Sequence, residues 1–253
     1  MDFFSPEIFL WTLAIVGVAA LIHGALGIGF PMVGTPLIAL LTDVQTAILV
    51  TLIPNIAINI ISIRNGGNWR SNVSRHWLLP LTMVIGSALG TLLLVHYNSN
   101  TFRLILAGAL FFYLFTVFFP GRISWSFIRK FPRSSMVGFG LFGGTLGGAV
   151  NVSGPIILLY LLESGLTTVA MIQVLNLSFL AGKLIQTITF GALGKLSFDL
   201  LTISAPLLLV AIGGVTYGQK VRSRFSATVY RKALYCLLGI VACMLLGQFI
   251  ISN

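Results

Sequence analysis

The chain has 253 residues, of which 57% are hydrophobic and only 8% charged, and its mean hydropathy is +1.02. Soluble domains carry about 25% charged residues, so this composition argues against a soluble globular domain and for an all-α, polytopic membrane protein. The net charge of +10 is read as basic loops kept at one membrane face. No basic face with interleaved aromatics stands apart from those loops, so nucleic acid is not an expected partner.

A spanning helix needs about 20 apolar residues. The first apolar run is Ile8–Leu41, and no basic segment precedes it, so it is expected to stay in the membrane rather than be cleaved. Val44–Ile63, Trp77–Val95 and Phe102–Phe119 follow, then a basic connector, Pro120–Ser134. The pattern restarts with Met136–Leu162, Thr167–Phe190, Phe198–Tyr217 and Ala233–Ile251. The expected organisation is a transmembrane repeat over 1–119, a connector over 120–134 and a second repeat over 135–253. Cys236 and Cys243 lie two helical turns apart on the last run, too far apart for a mutual disulfide, and are assigned to packing.

The first run of each repeat is interrupted by residues that spoil a helix. These are Gly24-Ala-Leu-Gly27-Ile-Gly29-Phe-Pro31-Met-Val-Gly34-Thr35-Pro36 and Gly143-Gly144-Thr-Leu-Gly147-Gly148-Ala-Val-Asn151-Val-Ser153-Gly154-Pro155. Broken backbone inside a bilayer is tolerated only where protein or a cavity surrounds it. A matched pair of such breaks points to a transport site. Gly24 and Gly143 each precede a proline, Pro36 or Pro155, by twelve residues. Asn55 then pairs with Asn176, Pro80 with Pro206 and Arg103 with Arg231, which reads as an internal duplication.

Basic residues choose between two topologies. If each broken run crosses once, eight loop charges face six, which sets no orientation. If each crosses twice, Arg103 and Lys195 stand against twelve: Arg64, Arg70, Arg75, Arg122, Arg129, Lys130, Arg133, Lys220, Arg222, Arg224, Arg231 and Lys232. That bias selects two inverted repeats of four apolar blocks, with both termini outside.

Proline suits the first turn of a helix, and Thr35 or Ser153-Gly154 suits the cap before it. Each break is therefore expected to present a half-helix N-terminus, at Thr35-Pro36 and at Ser153-Gly154-Pro155. Free N–H groups and the positive end of the dipole make such termini anion sites. Asn151 adds a neutral partner. The same glycines also suit close helix packing, as do Gly86 and Gly90. Lys183 lies deep within an apolar run, where a charge is a functional candidate by default, unless its stem snorkels to the headgroups. Gln173, Asn176 and Lys183 share one helical face, and Asn55 and Asn59 share another. These stripes read either as cavity walls or as interhelical hydrogen bonds. His23, directly before the first motif, is a proton-relay candidate or simply a bonded neighbour. Asp43 and Glu163 are read as solvated charges in equivalent links. No metal site, cofactor motif or catalytic constellation is evident, so the chain is not expected to be an enzyme.

The duplicated Gly-rich, proline-ended motif, set among eight apolar blocks around a basic connector, resembles the sulfite exporter TauE/SafE family over essentially the whole chain. The resemblance implies transport of small sulfur-containing anions such as sulfite, sulfoacetate or other organosulfonates across the cell inner membrane. By motif position it implies a site lined by Gly27, Gly29 and Pro36 and by Gly147, Gly148 and Pro155. The sequence departs from the family pattern at Phe30-Pro31, where further small residues are expected. The leading expectation is a secondary transporter using alternating access. A passive anion channel and a non-transporting membrane assembly protein are the alternatives. The expected partners are a small anion, the lipid bilayer and, in a homodimer, a second copy.

Overall fold

The computed structural model describes residues 5–64, 74–119, 122, 125–222 and 227–251. Ten main helices follow in chain order. The first five are α1 (Pro6–Leu26), α2 (Phe30–Leu41), α3 (Val44–Arg64), α4 (Leu78–His96) and α5 (Ser99–Phe118). A single turn, Phe127–Lys130, precedes the second five. These are α6 (Pro132–Val150), α7 (Gly154–Glu163), α8 (Thr168–Ala192), α9 (Phe198–Val221) and α10 (Ala227–Ile251). There is no strand among the described residues.

Seven of these helices are long and apolar enough to cross a membrane, among the described residues. Their outer faces expose Leu81, Ile85, Leu89, Leu209 and Ile240, as lipid-facing surfaces do. α2 and α7, at 12 and 10 residues, are half-length pieces.

Both breaks are built alike. α1 ends at Gly27, whose φ of 81° is left-handed, and its N–H donates to His23 O at 2.6 Å. α6 ends at Asn151, whose φ of 61° is left-handed too, and its N–H donates to Gly147 O at 3.2 Å. Asparagine is among the few side-chain-bearing residues that visit this region readily, so it takes the place glycine holds in the first half. The chain then turns back. Gly34 returns beside Ala19, and Ile157 returns beside Gly143.

This geometry corrects the expected half-helix start. α2 opens at Phe30 with Pro31 in its first turn, and Thr35 and Pro36 lie inside it. The reason is that Gly29, with a φ of 118°, is the last residue outside helical geometry. Pro31 then occupies the position where a missing N–H is not needed. Pro31, not Pro36, is thus the counterpart of Pro155. The two halves match at an offset of 124 residues from the end of the first helix to the start of the next long one: Leu26 with Val150, Phe30 with Gly154, Val44 with Thr168. The pairing of Asn55 with Asn176 is corrected as well. Asn55 matches Phe179, and Asn59 matches Lys183. Asp43 matches Thr167, and both cap a helix: Asp43 Oδ1 accepts from Thr46 N at 3.1 Å, and Thr167 Oγ1 from Ala170 N at 3.3 Å. Asp43 is therefore a cap rather than a solvated link, and Glu163 pairs with Arg129. The pairing of Pro80 with Pro206 is corrected too, because Pro80 lies in the first turn of α4 and Pro206 well inside α9.

The halves are interlocked. α1 packs along α9 of the other half, and α6 packs along α4. Glycines make both contacts close. A Cβ on Gly24 would overlap the Val215 carbonyl, and one on Gly148 would overlap that of Ser87. In both pairs the two helices run parallel. Gly17 meets Val210 while Gly24 meets Gly218, and Gly140 meets Leu79 while Gly144 meets Met83. α3 meets α8 and α5 meets α10 between these pairs. Cys236 and Cys243 are exposed on α10, so their assignment to packing is corrected. Part of the basic connector, and Arg70 and Arg224, lie outside the described residues.

The left-handed stop at Asn151 carries a testable consequence. Asn151→Ala is expected to cost about 1–2 kcal/mol, because a Cβ without a locally bonding side chain is strained there. Asn151→Gly relieves that strain, so its melting temperature in detergent should fall less than that of the alanine variant.

Candidate functional site

Both broken elements bring their turns to one place. Pro31 from the first break and Gly147, Asn151 and Ser153 from the second line a common cavity. Asn55 of α3 and Lys183 of α8 complete the polar part of the wall. Its volume is about 10 Å³, room for roughly one water molecule. The conformation is closed around this point.

The two half-helices meet by their N-terminal ends. A Cβ on Gly154 would lie 2.9 Å from Met32 Sδ. Asn151 Nδ2 donates to Thr35 Oγ1 at 2.6 Å, tying the second break to α2. Each terminus contributes partial positive charge to the junction.

Lys183 is 5% exposed, and its Nζ donates to Gln186 Oε1. The stem does not snorkel to a surface. Gln186 Nε2 donates in turn to Gly148 O at 2.8 Å, which fixes the pair against α6. On α3, Asn59 Nδ2 donates to Asn55 Oδ1 at 3.1 Å. Asn55 Nδ2 has no partner among the described residues. The cavity wall therefore carries the buried Lys183 amine and a spare amide donor. A buried donor without a partner is costly and calls for a ligand or a water.

A second polar cluster surrounds the first break. His23 Nδ1 accepts from the Phe30 N–H at 3.3 Å, so the ring hydrogen sits on Nε2, 3.0 Å from Ser62 Oγ. His23 thus caps α2, whose own cap residue, Gly29, has no side chain. Asn176 Nδ2 donates to Gly27 O at 3.1 Å. Gly27 and Ser62 border a separate cavity with Arg222.

The candidates named from sequence therefore divide by place. Asn55, Gly147, Asn151, Ser153 and Lys183 share the central cavity. Thr35 bonds Asn151, Asn59 bonds Asn55 and Gly154 packs against Met32, whereas Pro155 lines a separate apolar cavity with Leu26 and Tyr113. His23, Gly27 and Asn176 form the second cluster. Gln173 is buried on the same helix as Lys183. Gly29 and Pro36 shape α2, and Gly148 backs onto α4. Sequence reading missed Met83, Ser87, Phe179 and Gly182, which also line the cavity. The 124-residue offset is the signal that finds one of them, because it sets Phe179 opposite Asn55.

A family model described as sulfite exporter TauE/SafE matches residues 12–245. The chain belongs to the sulfite exporter TauE/SafE family. None of the curated proteins and none of the solved structures matches it. Membership of the TauE/SafE family, with seven apolar helices of spanning length among the described residues, makes this a multi-pass membrane protein with a role in transport.

Proposed function

We propose that this protein is a secondary transporter of small sulfur-containing anions, such as sulfite, sulfoacetate or other organosulfonates, working by alternating access. The observation that carries this reading is the central cavity. Two half-helix N-termini, the Lys183 ammonium and a spare Asn55 donor converge there. All three are groups that recognise an anion, and none is an acceptor of negative charge. The closed volume suits an occluded state that must open to one face or the other.

The interlocked halves support inverted repeats. α1 and α6 occupy equivalent positions, each running beside the third long helix of the other half. Exchange of the two breaks about an axis in the membrane plane would move access from one face to the other. The twelve-to-two distribution of loop charges supports an orientation with the ends of α3, α5 and α9 inside and both termini outside.

Purified protein should bind at least one of sulfite, thiosulfate, sulfoacetate and taurine in a thermal-shift screen, and proteoliposomes should accumulate the same anion. A screen with no binder would sink the anion assignment. Flux that no proton or sodium gradient drives uphill would favour a channel. For topology, Arg222→Cys in a background of Cys236→Ser and Cys243→Ser is expected to react with an impermeant maleimide only after the cells are broken. Lys195→Cys should react in intact cells. The reverse pattern would overturn the orientation.

A further inference from the structure

A third polar cavity opens at the end of the molecule where α4 begins and α7 finishes. Its volume is about 600 Å³, and its polar lining includes Arg75, His76, Arg129, Arg133, Tyr160 and Glu163. It is separate from the Lys183 cavity. Ser87, which lines that one, lies roughly 14 Å of helix rise beyond the start of α4.

His76 is the buried element of this lining, at 5% exposure. Its Nδ1 is 2.9 Å from the Tyr160 hydroxyl, and the two rings meet edge to face. Its Nε2 is buried and has no partner among the described residues. When Tyr160 donates to Nδ1, Nε2 carries the hydrogen and becomes an unpaired buried donor. Burial, with the Arg75 charge next in effect, holds the imidazole below its usual value of 6.5. The ring is therefore neutral at pH 7, and in the tautomer that accepts from Tyr160 it presents Nε2–H as a hydrogen-bond donor. Around it stand three guanidinium groups. One of them, Arg129, is held by Glu163 through Nη2 at 2.9 Å, and this arginine side chain is 74% exposed. An ion pair so open to water is weak and exchangeable.

We infer that this cavity is a second anion site, taking a phosphate-type oxyanion on His76 Nε2–H and the guanidinium groups of Arg75, Arg129 and Arg133. Three forked cations around a buried donor match an oxyanion's several acceptors. Glu163 is the intramolecular competitor: the anion takes Arg129 from it. The same chemistry is presented by free phosphate and by an anionic phospholipid headgroup, and the cavity lies at the start of α4, a helix of spanning length, where a headgroup would reach it.

Full-length protein in phosphatidylcholine nanodiscs, titrated calorimetrically with inorganic phosphate, tests the free-anion source. Discs doped with phosphatidylglycerol, read by native mass spectrometry for retained lipid, test the headgroup source. In whichever arm binding occurs, the double variant Arg75→Gln, Arg133→Gln should lose about tenfold or more in affinity or retention, the size expected for charge-assisted bonds. Glu163→Gln should strengthen binding severalfold by freeing Arg129, an effect opposite to that of a merely structural lesion. Lys183→Met should leave this binding unchanged, so failure here and failure of the central transport site are distinguishable. The inference is overturned if neither phosphate nor phosphatidylglycerol is held, if the double variant binds as the parent does, if Glu163→Gln weakens binding, or if Lys183→Met abolishes it.

Discussion

Replacing Lys183 with methionine is expected to abolish measurable anion transport while leaving the protein folded. The side chain is buried at the meeting point of the two breaks, and its one hydrogen-bond partner among the described residues is Gln186. A charge-assisted bond contributes about 1.5–3 kcal/mol, so its removal should weaken anion binding roughly tenfold to a hundredfold. Fold stability should move the other way or not at all. A buried ammonium without a carboxylate partner is costly, and methionine fills a similar volume without that penalty. Gln186 keeps its bond to Gly148 O in the variant. The check is paired: substrate-induced thermal shift should vanish while the melting temperature of the unliganded protein is unchanged or higher. Retained binding with a lower melting temperature would assign Lys183 to structure. Lys183→Arg should not restore function, because the cavity has room for about one water and not for a larger planar head.

The second large effect is expected from Gly144→Leu, which should prevent assembly of the two halves. A Cβ at Gly144 lies 2.5 Å from Met83 O and 3.0 Å from Ser87 N, both backbone atoms of α4 that cannot yield as a side-chain tip can. Overpacking of even a methyl group costs about 1–3 kcal/mol, and leucine adds three more carbons at the tightest helix pair in the molecule. Gly24→Leu should behave alike at the mirror contact of α1 with α9. The control is Gly138→Leu on the same helix, where a Cβ would meet nothing within 4 Å. There the better helix propensity of leucine, worth up to about 1 kcal/mol, should leave stability equal or improved. Detergent-solubilised yield and monodispersity on size-exclusion chromatography separate the cases. Equal behaviour of Gly144→Leu and Gly138→Leu would remove the close-packing role.

Much of the candidate site was legible because its cause is local. Gly27, Gly29, Asn151 and the following prolines mark breaks wherever they occur, since positive φ and a missing N–H act within a few residues. Lys183 stood out because a charge in an apolar run needs a reason. The register of the repeat was less legible. Two prolines, Pro31 and Pro36, competed for one role, and the twelve-residue spacing favoured the wrong one. The left-handed Gly29 decides for Pro31, and φ values are not written in spacing. Likewise, Asp43 looked like a loop charge because its acceptor role depends on where α3 begins.

The sequence by itself determined the membrane class, the two sets of apolar blocks, the positions of the breaks and the asymmetry of basic residues. Each follows from run length, local backbone freedom or charge, none of which needs a distant partner. Only the tertiary structure decided which glycines pack and which line a cavity, and that His23 caps α2. It also decided that Asn59 and Lys183 are counterparts. The physical reason is that burying polar groups forces them to find partners, and those partners come from other helices. Asn151 reaches back 116 residues to Thr35, and Asn176 reaches 149 to Gly27. Such bonds exist only once α1 lies along α9 and α6 along α4. The stretch of chain that breaks each first run is therefore readable as a break from its own residues, but its arrangement around Lys183 depends on the other half.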